Sequence, residues 1–277
     1  MKSTHRLFSL VLVTVFTLLL ASSAPAADDY KLKVGVQTWT LRYLDFDQVV
    51  AFARKHNVKH LQMIAKHINP KGDWEEIKRK KKILDDNGLV CYTFGVNGTS
   101  LDKEDNRKLF EFAKFMGCKV VVVEPRDFKI FDNLEELVKE YDIKVAIHNH
   151  GLTSMYGNPL VVKNVLKHRD KRIGICMDTG WITAAGFNAA KVFRDYDGRV
   201  YDIHLKDKTL EKTEGYRDVY LDVKVGTGDC DYKALFKELK KANWQGVMAI
   251  ETDNKTLASD PDTPVQAGLD FVKQNQP

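Results

Sequence analysis

The chain has 277 residues and is 44% hydrophobic, 29% charged and 10% aromatic, with 17 Gly and 7 Pro, a make-up that excludes both disorder and a collagen-like repeat. Its formal net charge is +5, two of which come from Lys2 and Arg6 at the extreme N-terminus, and no long basic run follows. A nucleic-acid binder is therefore not expected, because that affinity rests on clustered Lys and Arg neutralising phosphates.

In chain order, Lys2, His5 and Arg6 precede an apolar run from Leu7 to Leu20, and Ala24-Pro25-Ala26 forms a small-x-small site before Asp28-Asp29. This pattern predicts a cleaved secretory signal over residues 1–26. The run, about 14 residues, is short of the roughly 20 that cross a hydrocarbon layer. The expected mature protein is residues 27–277, periplasmic or extracellular, with no membrane attachment once the signal is removed. Cys91, Cys118, Cys176 and Cys230 all lie in that exported part, where oxidation is allowed. Three of them fall in or directly beside strand-like runs, which favours buried free thiols over a disulfide between neighbouring strands.

From residue 31 short Val/Ile-rich runs alternate with helical patterns. The runs are Val34 to Trp39, Lys59 to Ile64, Val90 to Val96, Lys119 to Glu124, Lys144 to Asn149, Ile173 to Asp178, Val200 to Leu205 and Val247 to Glu251. Between them, Phe46, Val49, Val50 and Ala53 recur at helical spacing, as do Leu109, Phe112, Ala113 and Met116, and later Leu235 and Leu239. Asp73 with Glu76 and Asp132 with Glu135 have capping-box spacing, while Gly88 and Gly117 stand where a helix should stop. About 250 residues over eight units is roughly 31 per unit, the size of a β/α repeat in a closed (β/α)8 TIM barrel. No Pro/Gly/Ser-rich linker divides the chain, so one domain is expected.

Several runs end in polar residues: His148-Asn149-His150, Asp178-Thr179-Gly180, His204-Leu205-Lys206-Asp207, and Glu251. In a β/α barrel these are the carboxyl ends of strands, where active sites assemble. Alternate strand residues face the same way, so His148 pairs with His150, and His204 with Lys206, towards the barrel mouth. Grouped without an ion, such residues would repel or need costly partners, so His148, Asp178, His204 and Glu251 are the expected ligands of a divalent metal. Two imidazoles and two carboxylates suit Mn²⁺, Fe²⁺, Co²⁺ or Zn²⁺ better than Ca²⁺, and admit Mg²⁺. A hydrogen-bonded polar core is the alternative.

Taken together, Val34 to Arg42, Val123-Glu124-Pro125, Ala146 to Gly151, Met177 to Gly180, Ile203 to Asp207, Val225 to Asp229 and Ile250-Glu251 resemble, in order and spacing, the xylose isomerase-like TIM-barrel superfamily. Its members are commonly labelled sugar phosphate isomerases/epimerases. The resemblance covers essentially the whole mature chain. It implies one divalent ion held by Asp178, His204 and Glu251, from the sixth, seventh and eighth barrel strands. Two positions depart from the pattern. Many sugar epimerases of this superfamily carry a metal-bound Glu at the end of the fifth strand, where this chain has His148, and many continue the strand-six Asp-Thr-Gly with His, where this chain has Trp181. Glu124 competes with His148 as fourth ligand; otherwise it is free to act as a base, or is tied up in a salt bridge to Arg126 or a neighbouring Lys.

Lys206 is the candidate for stabilising an oxyanion, and His150 for shuttling a proton or orienting another ligand. Gln37, Trp39, His67 and Trp181 stand at or just beyond strand ends and are candidates for lining a sugar site. The Gly226-Thr227-Gly228 turn lacks the full phosphate-loop pattern and is followed by Asp229, so it reads as a tight turn rather than an anion site. The expected activity is metal-dependent isomerisation or epimerisation, through an enediolate, of a small non-phosphorylated keto-sugar. A metal-dependent lyase, dehydratase or hydratase acting on a keto-sugar or 3-keto-glycoside is the first rival, and a non-catalytic secreted carbohydrate-binding barrel the second. Nuclease action, known on the same barrel, is disfavoured by the balanced charge and by too few His/Asp/Glu ligands for a three-zinc cluster. A homo-oligomer stays open.

Overall fold

The computed structural model describes residues 30–212 and 219–277; the signal sequence expected over residues 1–26 lies outside them. Lys31–Pro277 form one compact unit. Its strands are β1 (Lys33–Gln37), β2 (His60–Met63), β3 (Val90–Asn97), β4 (Val120–Val123), β5 (Lys144–His148), β6 (Ile173–Asp178), β7 (Val200–Leu205), β8 (Asp207–Glu211), β9 (Val219–Val223) and β10 (Val247–Ile250). Eight of them close into a parallel barrel in the order β1-β10-β7-β6-β5-β4-β3-β2. Parallel strands wrapped by helices are buried on both faces and so read as continuous apolar runs rather than alternating ones. Val120 to Val123 shows this: Val120 and Val122 pack with Ala146 and Cys176 in one buried cluster, and Val121 and Val123 are just as inaccessible.

The helices are α1 (Phe46–Lys55), α2 (Trp74–Asp86), α3 (Lys103–Met116), α4 (Ile130–Tyr141), α5 (Pro159–Leu166), α6 (Thr179–Ala184), α7 (Ala189–Asp195), α8 (Tyr232–Lys241), α9 (Lys255–Ser259) and α10 (Asp262–Gln274). Local chemistry sets their ends. Asp45 and Gln48 form a reciprocal capping box on α1, and Gly117 closes α3 in the left-handed conformation at φ +81°. Two expected caps differ. Asp73 caps α2 by accepting from the amide of Glu75, while Glu76 is drawn away into an ion pair with Arg79. Helix α4 starts at Ile130, ahead of Asp132, because Asp132 and Glu135 are both engaged by Arg169, 2.6 and 3.2 Å away.

The hairpin β8–β9 is an addition to the eight expected strand–helix units and stands where a helix was expected to follow β7. All four cysteines are free, and Cys91, Cys118 and Cys176 are buried. No described helix is long and apolar enough to cross a membrane.

Candidate metal centre

Strand register brings the polar strand ends together. Asp178 pairs across β6–β7 with His204, and His204 pairs across β7–β10 with Ala249, two residues before Glu251. On the other flank His148 pairs with Cys176 of β6. One ligand atom from each of His148, Asp178, His204 and Glu251 lies within 4.8 Å of the others, and all four residues are buried. Among the described residues two overlapping groups also have metal-ligand composition, Glu124 with His148 and His150, and Cys176 with Asp202 and His204.

The outward hydrogen bonds of the two imidazoles decide what faces inward. His148 Nδ1 lies 2.8 Å from Glu124 Oε1, and His204 Nε2 lies 2.6 Å from Gln62 Oε1. A carboxylate and an amide carbonyl only accept, so each of these ring nitrogens carries the hydrogen. With both imidazoles neutral, as they are when they ligate a metal, the remaining nitrogens, His148 Nε2 and His204 Nδ1, turn lone pairs inward and lie 3.0 Å apart. His204 Nδ1 is also 3.1 Å from Glu251 Oε2 and 3.7 Å from Asp178 Oδ2. Those two carboxylate oxygens are buried and meet the Lys206 ammonium as an ion pair without an assigned hydrogen bond, while the other oxygen of Asp178, Oδ1, accepts from the amide of Trp181 as the N-cap of α6. Four potential ligand atoms converging in a buried space, with Lys206 as the one ammonium beside them, make a site suited to a further cation. The donor set, two imidazoles oriented by an outer carboxylate and an outer amide together with two carboxylates, fits a divalent transition metal.

The surrounding charges agree. Lys206 Nζ is buried 2.9 Å from Glu251 Oε2, 3.1 Å from Asp178 Oδ2 and 2.6 Å from Asp253 Oδ2. One ammonium against three carboxylates leaves an excess of negative charge that a divalent cation would neutralise. Burial alone would raise the carboxyls of Asp178 and Glu251, but Lys206 and the imidazoles outweigh it, holding Asp178 well below the usual range and Glu251 at about 2. Burial likewise opposes a charge on Lys206, and the carboxylates of Asp178, Glu251 and Asp253 reverse the effect, so its ammonium stays protonated far above the ordinary lysine range. The stem of Lys206 runs over Gly180, where a Cβ would come within 2.7 Å of Lys206 Cγ, so the glycine of Asp178-Thr179-Gly180 makes room for the lysine.

The other sequence candidates fall into two groups. Glu124 turns away from Arg126 and grips His148 Nδ1 and His150 Nδ1, the latter at 2.5 Å. Burial pushes its carboxyl up, the hydrogen bonds from the two histidines push it down, and the balance leaves it at about 2. Gln37, Trp39, His148, His150, Glu251 and Asp253 line a cavity of about 370 Å³ at the mouth. Trp39 also donates from Nε1 to Asp253 Oδ1 at 3.0 Å. Trp181 is outside that lining: its ring lies behind the ammonium groups of Lys208, at 3.7 Å, and Lys206, at 5.6 Å, because α6 begins immediately at Asp178 and carries the indole over them.

His67 lies outside the lining of that cavity. Its Nε2 meets the carbonyl of Leu44 at 3.2 Å and its Nδ1 meets Thr38 Oγ1 at 3.0 Å, which makes it a tether between loops. Burial lowers its pKa to about 4, against the opposing pull of the Leu44 carbonyl. His67 is thus neutral in the fold, while the unfolded chain takes up a proton below about 6.5. Its contribution to stability is complete above pH 6.5 and is lost as the pH falls towards 4, amounting to about 3 kcal/mol. Denaturant unfolding at pH 7 and pH 4 is expected to show wild type losing about that much more than His67→Gln.

Four site residues escaped the sequence reading. Gln62, between Leu61 and Met63 on β2, accepts from His204 and from Gln37 Nε2 and donates to Thr93 Oγ1 and Asp202. Asp202 faces inward one step below His204, as the two-residue strand period would have indicated. Asn149 laces β5 to β6 through the amide and carbonyl of Asp178, and Asp253 closes the far side of Lys206. The Gly226-Thr227-Gly228 turn does bind an anion, one that belongs to the chain: the amides of Gly226, Gly228 and Cys230 all donate to the carboxylate of Asp207, at 2.9 to 3.1 Å.

The sequence profile of the xylose isomerase-like TIM barrel family matches residues 44–275. The chain belongs to this family. Two relatives of this xylose isomerase-like barrel are inosose dehydratases. That of Clostridium perfringens (strain ATCC 13124) is 26% identical over 229 residues, covering 67% of this chain and 77% of the relative. That of Clostridium botulinum (strain Alaska E43) is 23% identical over 243 residues, covering 72% and 81%. Among solved structures, an uncharacterized protein of Parabacteroides distasonis superposes with a TM-score of 0.67 at 26% identity, covering 88% of this chain and 98% of that one. The IOLI protein with a bound zinc atom superposes with a TM-score of 0.69 at 16% identity, covering 88% and 99%, which speaks for the fold.

Proposed function

We propose that this barrel is a divalent-metal-dependent enzyme that removes the proton beside the ketone of a keto-sugar or keto-cyclitol and then expels the substituent one carbon further on. The reading rests on the inner nitrogens of His148 and His204, turned inward by Glu124 and Gln62 and converging with the buried oxygens of Asp178 and Glu251. A metal held by His148, Asp178, His204 and Glu251 would supply a Lewis acid that withdraws charge from the ketone oxygen. The zinc named for the IOLI protein supports a divalent ion in a barrel of this shape. Lys206, fixed between three carboxylates, offers its ammonium to the same developing charge. Glu124 and His150 share a short hydrogen bond at the cavity edge and are the pair proposed to take the proton and pass it on.

Elimination is favoured over isomerisation by His148, which occupies the place where a second metal-bound glutamate would be needed for two-faced proton exchange, and by the dehydratase relatives. Isomerisation or epimerisation is the second reading, because Glu124 and Glu251 follow strands that stand diametrically opposite in the barrel, β4 and β10, and so flank the cluster from two sides. An unphosphorylated substrate is part of the proposal. The amides of the Gly226-Thr227-Gly228 turn are taken by Asp207, and the N-terminus carries an export pattern.

Incubation of manganese- or zinc-loaded protein in D₂O with keto-sugars and inososes tests the reading. Release of water or an alcohol, abolished by chelation, is the expected result; deuterium at the α-carbon of recovered sugar without release makes the enzyme an isomerase or epimerase. If neither occurs and sugar binding survives chelation, the protein is a carbohydrate-binding barrel.

A further inference from the structure

The two imidazoles of the metal centre are oriented from outside by different chemistries. Behind His148 stands the carboxylate of Glu124, which only accepts and so admits one tautomer. Behind His204 stands the side-chain amide of Gln62, 2.6 Å from Nε2. An amide donates at one end and accepts at the other, and its two ends have nearly the same shape. Turned one way, Gln62 takes the hydrogen of His204 Nε2 and leaves Nδ1 free for a metal. Turned the other way, its NH2 group demands a lone pair on Nε2 and drives the hydrogen to Nδ1, where it blocks a ligand. The groups packed behind Gln62 have to decide between the two.

Asp202 is placed to do so. It is fully buried, makes no ion pair among the described residues and stays outside the lining of the cavity at the mouth. Every polar side chain that it meets donates to it: Gln62 Nε2 and, at 3.4 Å, Cys176 Sγ to Oδ2, and Tyr92 Oη, at 2.9 Å, to Oδ1. Gln62 also donates to Thr93 Oγ1 at 2.7 Å, but a hydroxyl can serve either end of an amide and does not discriminate. On the other side Gln37 supports the same orientation. Its Nε2 donates to Gln62 Oε1 and, at 2.8 Å, to the carbonyl of Gly95, while its Oε1 accepts from the amide of Trp39 at 2.9 Å. The interior of a β/α barrel is ordinarily filled by Val, Ile and Leu, and a carboxylate buried there without a cation is more costly than any of them. Packing alone therefore does not account for Asp202.

We propose that Asp202 is a positioning residue of the metal centre: through the amide of Gln62 it fixes the hydrogen of His204 on Nε2 and so presents Nδ1 to the ion. The role rests on the functional reading above, in which His204 is a ligand, and extends that site by one layer of side chains into the barrel. Asp202 itself touches neither ion nor substrate in this role.

Zinc titration of wild type, of Asp202→Asn and of the double variant Asp202→Asn/Gln62→Glu tests it, together with the ring N–H proton resonance of His204 in the zinc-loaded proteins. Asp202→Asn preserves shape and removes the acceptor that biases Gln62. It is expected to weaken zinc binding about tenfold, the lower end of the effect of an outer partner, because Gln37 still holds Gln62. The His204 N–H resonance is expected to move upfield as the bond to Gln62 is weakened. The double variant is expected to regain affinity to within about threefold of wild type, because the introduced carboxylate only accepts, from His204 and from the introduced amide alike. A merely structural Asp202 predicts instead that two buried changes are no better than one. Zinc affinity of Asp202→Asn within about twofold of wild type, a loss with the His204 resonance unmoved, or a loss that Gln62→Glu does not repair overturns the proposal. A wild type that takes up no zinc removes the metal centre and the positioning role together, whereas zinc binding that ignores Asp202→Asn removes the positioning role alone.

Discussion

Glu251→Gln is expected to bind manganese or zinc about a hundredfold more weakly than wild type and to lose turnover about a thousandfold, with its metal-free melting curve close to wild type. The first two effects follow from replacing an anionic ligand by a neutral amide. Charge stabilisation by a metal Lewis acid is worth several kcal/mol, and about 4 kcal/mol is a factor of 10³ in rate. The third follows from the neighbours. Lys206 keeps Asp178 and Asp253 as partners, and His204 keeps its outer bond to Gln62, so no buried cation is orphaned. Metal titration, turnover and thermal unfolding on one preparation check all three. Turnover within tenfold of wild type would remove Glu251, and with it the proposed metal centre, from the chemistry.

Lys206→Met has the opposite sign for metal and the same sign for turnover. Without metal, the carboxylates of Asp178, Glu251 and Asp253 lose the ammonium that lies within 3.1 Å of each of them. Removing one partner from a buried ionic group costs about 3–5 kcal/mol, because uncompensated charge is left behind. A divalent cation held as proposed would compensate the same carboxylates, and in wild type it would compete with Lys206 for them. The variant is therefore expected to bind metal more tightly than wild type and to gain more in melting temperature on adding it, since stabilisation grows with the ratio of ligand to dissociation constant. Turnover is expected to fall about a hundredfold even at saturating metal, as an oriented donor to the developing oxyanion is lost. Equal metal-induced shifts in wild type and variant would separate Lys206 from the metal centre.

How far the site was legible in the sequence depended on whether a residue announced itself by position along its own strand. His148, Asp178, His204 and Glu251 each follow an apolar run, and the two-residue period of a strand pairs His204 with Lys206 on one face. Gln62 was not legible in that way. It stands between Leu61 and Met63 as one polar residue in a short apolar stretch, and its function of fixing the tautomer of His204 comes from β7, 142 positions away. Trp181 and His67 stand outside the cavity lining for a related reason. Being near a strand end says which rim a residue is on, while the start of α6 and the loop carrying Leu44 decide which way the side chain turns.

The hairpin β8–β9 shows the limit from another side. Its register is set by pairs such as Asp207 with Val223, and its base is pinned by turn amides on the Asp207 carboxylate, neither of which leaves a periodic signature. By itself, the sequence determined the eight-strand barrel, its carboxyl-end rim and the four ligand candidates, because burial on both faces of a parallel strand and the period of its side chains are properties of local sequence. Only the tertiary structure decided the direction of each imidazole, the pairing of Glu124 with histidines instead of Arg126, and the hydrogen bonds that join Asp202 through Gln62 to His204. Hydrogen bonds of that kind join residues from different strands, and their energies depend on distances that exist only once the barrel has closed.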